Sequence, residues 1–223
     1  MRDRIYLLSI GEFLKESQGA ALMDEAMSKV DVVRREKAAR IRQPRAKAAC
    51  LGAGLLLQLA VRNYIETEAA GRENDKLATY TIHQLLQKIT DPIPLELTYG
   101  SSGKPYFKEY PIYFNLSHSG EYVVCAVSDR EIGVDIQEHK GGDTERIAKR
   151  YFSGGEIRAL DTCEEGQRTK LFFDLWAAKE AYGKYTGGGI TESLEAEIPA
   201  DRVVIQQNHS IPGYSLAVCK GVE

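Results

Sequence analysis

Apolar and polar positions follow two periods along this chain, and each period predicts its own kind of element. Residues 5–10 form a short apolar run rich in β-formers, which predicts a strand. Over 20–30, Leu22, Ala26, Met27 and Val30 fall on one helical face. The stretch 46–65, including Leu51, Leu55, Leu59 and Tyr64, predicts a long apolar helix, and 81–89 a short one. The chain turns polar at 71–76, and Pro92 and Pro94 punctuate it again. Strand-like runs then come at 106–107, 112–116, 122–127 and 132–136. Helical patterns cover 143–151, 155–160 and 167–186, and the last runs, 203–206 and 214–219, predict strands.

The order strand, helices, strands is met twice, opening at about Arg4 and again at about Arg130. A duplicated α+β unit accounts for it. With 43% hydrophobic and 27% charged residues, the 223-residue chain has enough apolar side chains to bury a substantial core. A formal net charge of −3 and a pI near 5.9 give no global sign of a nucleic-acid or membrane partner. No run is read as reaching the roughly 20 apolar residues of a membrane helix, and the N-terminal segment shows no cleavage pattern. Cys50, Cys125, Cys163 and Cys219 lie far apart, without zinc-site spacing. They predict free thiols and a cytoplasmic location.

Four short segments carry candidate chemistry. In IGVDIQ (132–137), alternation puts Asp135 and Gln137 on one face and Val134 and Ile136 on the other. Asp135 there suits a hard cation, or simply faces water on an edge strand. In WAAKEAYGK (176–184), Glu180 and Lys184 form an i, i+4 pair, which serves either a phosphate-bound metal or an ordinary surface salt bridge. GSSGKPYF (100–107) joins a flexible loop, Lys104 and Pro105, a combination able to wrap an anion although it lacks Walker A spacing. In FNLSHSG (114–120), Ser117 and His118 point to opposite faces of a strand, so they are poor as a nucleophile and base pair. They can donate hydrogen bonds to phosphate oxygens, or cap a strand end.

In this order and spacing, the segments resemble the 4'-phosphopantetheinyl transferases of the larger, surfactin-synthetase-activating type. The likeness runs from the basic segment near Arg34 to the helix ending near Thr186. It implies an α+β pseudodimer of two similar α/β subdomains, each a small, mainly antiparallel sheet packed with helices. The expected boundaries are 1–128 and 129–223, with coenzyme A bound in the cleft between. Asp135 and Glu180 would be magnesium ligands, with Gln137 standing where many relatives have a third carboxylate. Lys179 and Lys184 match phosphate-side lysines, and Ser117 and His118 match phosphate-contacting positions. Gly103, Lys104 and Pro105 match the loop bordering the adenine nucleotide. Arg34 and Lys37 match cations that hold coenzyme A phosphates.

The resemblance implies a cytoplasmic, monomeric, magnesium-dependent transferase that moves the phosphopantetheine arm of coenzyme A to a serine of an apo acyl or peptidyl carrier protein. Fatty-acid, polyketide and nonribosomal-peptide carriers all fit. Glu180 would be the general base, with Asp135, Lys184 and His118 completing the catalytic set. A degenerate relative that binds coenzyme A or a carrier without transfer is the alternative. A magnesium-dependent phosphohydrolase is a third reading, weakened by the lack of clustered aspartates.

Overall fold

The computed structural model describes residues 3–70, 77–188 and 197–222. The chain begins with β1 (Arg4–Ser9) and a 3₁₀ turn (Gly11–Leu14), followed by α1 (Gly19–Lys29), α2 (Val32–Arg40) and α3 (Pro44–Ala70). Then come β2 (Leu77–Tyr80), α4 (Ile82–Lys88), β3 (Leu97–Tyr99) and β4 (Pro105–Phe107). A hairpin of β5 (Tyr113–Ser119) and β6 (Tyr122–Ser128) leads into β7 (Ile132–Glu138). The chain ends with α5 (Thr144–Tyr151), α6 (Gly154–Thr162), α7 (Glu165–Thr186), β8 (Val203–Asn208) and β9 (Tyr214–Gly221).

Local chemistry sets several boundaries. Asp31 caps α2 by accepting from the Arg34 N–H at 3.0 Å. Pro44 opens α3, where its missing N–H costs nothing. Thr81 with Gln84, and Ser153 with Glu156, form reciprocal capping boxes at α4 and α6. Gly187 ends α7 in the left-handed region at φ 69°, which favours glycine.

The contacts divide the chain into two units: Met1–Thr98 with Tyr106–Asp129, and Tyr99–Pro105 with Arg130–Glu223. In the first, the sheet order is β2-β1-β6-β5, with β1 parallel to β2 and the other pairs antiparallel. α3 fills its core with Leu51, Leu55, Leu56 and Leu59, all buried with Leu8, Ile10 and Phe114. Buried Gln58 exchanges both amide groups with the backbone of Ile93, at 2.8 and 2.7 Å. By length and composition alone, Pro44–Glu66 is long and apolar enough to cross a membrane, with a mean hydropathy of 1.3. This corrects the expectation that no such stretch exists. The physical reason for its apolarity is packing, since 83% of the window is buried inside the protein.

In the second unit the order is β7-β9-β8, antiparallel throughout. α7 lies on this sheet through Ala177, Ala178 and Ala181, packed with Ala217 and Cys219. The approach is closest at Gly133, where a Cβ would stand 2.0 Å from the Ala181 carbonyl oxygen. Beyond it, Phe152, Leu160, Phe172 and Phe173 join α5, α6 and α7 in an aromatic cluster.

Both units thus run from a first strand through helices to an antiparallel hairpin whose last strand lies in the middle of the sheet. The α+β class is as expected. The strands β2 and β3 were not anticipated. β2 has four residues, none of them buried, beside the polar stretch, and β3 has three, too few for a period to show.

Candidate functional site

The second unit gathers four of the expected residues. On β7, Asp135 is 2% exposed while Val134 and Ile136 are fully buried, so the solvent-facing reading of this strand fails. Asp135 stands opposite Ala217, and Gln137 opposite Ser215. This is the sheet face that α7 covers, because Gly133, two residues before Asp135, meets Ala181.

From α7, Lys184 donates to Asp135 Oδ1 at 2.6 Å. The i, i+4 spacing suggested a surface bridge from Lys184 to Glu180; the ammonium instead crosses to the strand. Gln137 Nε2 donates to the other oxygen, Asp135 Oδ2, at 2.8 Å. The Glu180 carboxyl is pushed above the usual range, first by burial and then by the Asp135 charge, with Lys184 opposing both. The arrangement therefore holds two carboxylates, one ammonium and one amide.

Among the described residues, no cluster of three or more His, Cys, Asp or Glu side chains is placed to hold a metal. The donors here are two carboxylates and an amide oxygen, all hard ligands, so their chemistry fits magnesium. Glu180, disfavoured as an anion beside Asp135, is the group that a divalent cation would relieve.

The other expected residues have different surroundings. The Lys179 ammonium is fully buried, 3.2 Å from Glu156 Oε2 and 6.0 Å from the Phe152 ring centre. Five residues apart on a helix, Lys179 and Lys184 cannot point the same way. Gly103 (φ 81°) turns the loop before Lys104, and Pro105 opens β4. The Lys104 ammonium is turned into the second unit, 2.5 Å from Glu131 Oε2 and 2.9 Å from the Tyr185 carbonyl oxygen. Arg34, Lys37, Ser117 and His118 belong to the first unit. There Ser117 is buried, and His118 and Lys37 are exposed.

A second buried carboxylate was missed from the sequence. Asp174 on α7 accepts from Ser215 Oγ and Lys170 Nζ, each at 2.6 Å, and His139 Nε2 lies 2.8 Å from the same serine oxygen. The bond from Ser215 to Asp174 fastens the first half of α7 to β9. The available signal was an acid inside the apolar run LFFDLW. A small cavity of about 60 Å³ among α5, α6 and α7, floored by Ala148, Ile157, Leu160 and Phe172, contains none of the candidate residues.

Asp135, Glu180 and Lys184 all lie in one segment, from β7 to α7, that has counterparts among known proteins. The family model for the 4'-phosphopantetheinyl transferase superfamily matches residues 131–218, from the start of β7 into β9. The chain belongs to that superfamily. A 4'-phosphopantetheinyl transferase of Bacillus subtilis is 39% identical over 107 residues, 48% of this chain and 47% of that protein. Psf-1 of Bacillus pumilus, also a 4'-phosphopantetheinyl transferase, is 36% identical over 64% of this chain and 67% of its own. AcpT of Salmonella typhimurium, of the same description, is 36% identical over 60% and 71%. The chain spans about half the length of the first of these relatives, and roughly two thirds or more of the other two.

Proposed function

We propose that this protein transfers the 4'-phosphopantetheine arm of coenzyme A to a serine of an apo acyl or peptidyl carrier protein. The carrying observation is that Asp135, Glu180 and Lys184 come together from β7 and α7 within the segment that the superfamily model matches. The carrier's serine oxygen attacks the β-phosphorus of coenzyme A. The bond from that phosphorus to the bridging oxygen breaks, and its electron pair leaves with adenosine 3',5'-bisphosphate.

Glu180, the carboxylate beside the incoming hydroxyl, takes the serine proton. Lys184 orients Asp135 and keeps a fixed positive charge beside the reacting phosphates. Magnesium, held by Asp135 and Glu180 with the Gln137 amide oxygen as a further donor, would supply charge neutralisation at the pyrophosphate. Arg34, Lys37, Ser117 and His118 bind phosphate oxygens of coenzyme A, and Gly103 and Pro105 border its nucleotide. Lys179 is left out of the phosphate set because its ammonium is buried against Glu156.

The test is incubation with coenzyme A, magnesium and a panel of apo carriers drawn from fatty-acid, polyketide and nonribosomal-peptide systems. Transfer adds about 340 Da to the carrier serine, read by mass spectrometry. No gain on any carrier, with coenzyme A still bound, would replace transfer by binding alone. Gln137, an amide where the family resemblance leads one to expect a third carboxylate in many members, favours that second reading.

A further inference from the structure

The lysine of the GSSGKP loop does something that its sequence context does not suggest. Lys104 is 8% exposed, although it comes from a loop of small, polar residues. That loop is closed on itself, with the Gly103 N–H donating to the Gly100 carbonyl and the Gly100 N–H to the Lys104 carbonyl, both at 2.9 Å. From this base the side chain runs inward past the end of α7, where a Cβ on Gly187 would lie 3.6 Å from Lys104 Cδ.

An ammonium carries three N–H donors. Acceptors lie at Glu131 Oε2 (2.5 Å), the Tyr185 carbonyl (2.9 Å) and the Ile132 carbonyl (3.3 Å). Each acceptor belongs to a part of the frame that carries the candidate site. Glu131 and Ile132 are the residue before β7 and its first residue, three positions ahead of Asp135. Tyr185 follows Lys184 in the last turn of α7, where carbonyls lack intrahelical donors and a cation is favourable.

We propose that Lys104 is a positioning residue. Its one ammonium ties the start of β7 to the end of α7, and so fixes the separation across which Asp135, Glu180 and Lys184 act. Tyr99–Pro105, the segment that carries Lys104, groups with the second unit. A bare charge aimed at a nucleotide phosphate would need an exposed ammonium, whereas this side chain is 6% exposed and paired with a carboxylate that is 36% exposed.

The proposal rests on the transferase reading for its kinetic test, and on hydrogen exchange independently of it. In Lys104→Met, which keeps length and removes charge, kcat should fall by about tenfold or more while KM for coenzyme A stays within about twofold. Amides of β7 and of the last turns of α7 should exchange faster, and those of β1 and β6 should not change. Glu131→Gln, which leaves both carbonyl acceptors in place, should move the same observables less, and it decides the matter if Lys104→Met does not fold. A raised KM with unchanged kcat would make Lys104 a nucleotide contact and overturn the proposal, as would unaltered exchange. If the wild-type protein transfers nothing, the function reading fails while the exchange comparison still tests Lys104.

Discussion

The two units share a topology but differ in what separates helix from sheet. Under α3 the space is filled by leucines, with Leu51, Leu55, Leu56 and Leu59 all buried against the first sheet's apolar face. Under α7 it is nearly closed, by alanines on the helix and Gly133, Ala217 and Cys219 on the strands. A thick hydrocarbon layer stabilises through buried area. A thin one gives up area but leaves room for polar side chains of helix and sheet to meet. That is how Lys184 reaches Asp135, and Ser215 reaches Asp174. The equivalent strand of the first unit, RIYLLS, has no acid in its interior. The first unit thus packs a hydrocarbon layer where the second holds buried polar pairs.

The sharpest way to break this contrast is to delete function in one unit and core in the other. Asp135→Ala and Glu180→Gln should each lower carrier modification by a hundredfold or more, about 3 kcal/mol of transition-state stabilisation. Circular dichroism should show both variants folded. Leu55→Ala should instead cost about 2 to 5 kcal/mol of stability in urea unfolding, with the folded fraction turning over normally. Wild-type turnover in either carboxylate variant would end the proposed roles.

Backbone proximity is tested next. Gly133→Ala puts a methyl against the Ala181 carbonyl and should destabilise by about 3 kcal/mol, because backbone cannot yield as a side chain can. Gly52→Ala meets only side-chain methyls of Ile10, Leu8 and Val123 at 3.1 to 3.3 Å and should cost about 1 kcal/mol. Equal costs in denaturant titration would mean that the two helix contacts are alike.

Cysteine labelling examines where the units should agree. Cys125 and Cys219 sit in the central strands β6 and β9. Burial raises both thiols, with Cys219 pushed up to about 12. A maleimide applied to the native protein should modify partly exposed Cys163 and leave Cys50, Cys125 and Cys219 unlabelled, as peptide mapping would show.

The smallest effect is one of pH. Burial holds His139 below the ordinary histidine value, outweighing the opposing pull of Asp174. The folded state then binds fewer protons than the unfolded one, so stability should decline as pH falls through about 6.5. His139→Gln should flatten that part of the thermal-denaturation profile; an unchanged slope would assign the dependence elsewhere.

Period-two alternation was enough to put Asp135 and Gln137 on one face, and helical spacing enough to bring Glu180 and Lys184 to one side of α7. Neither rule reaches across elements. The i, i+4 rule therefore paired Lys184 with its helix neighbour, although its partner lies 49 positions away in sequence. Lys104 was read from its flexible neighbours as an anion-binding cation, but Tyr185, which it caps, is 81 positions distant. Long-range polar pairs leave no local period, and short edge strands such as β2 leave too little of one. The long apolar helix was legible as an element, and its length was underestimated at both ends, by Pro44 and Arg45 and by the polar stretch from Glu66 to Ala70, where the apolar pattern stops.

The pairing of β1 with β6 carries a consequence for synthesis. Asp3 accepts from Ser128 across 125 positions of chain, so the first sheet cannot close until β6 has left the ribosome. α3 is complete long before that, with a leucine face whose proper cover has not yet been made. During this interval the nascent chain presents an apolar helix of membrane-spanning length to whatever surrounds it. Stalls in translation that leave α3 outside the ribosome and β6 still inside it would thus expose this protein to chaperone capture or aggregation.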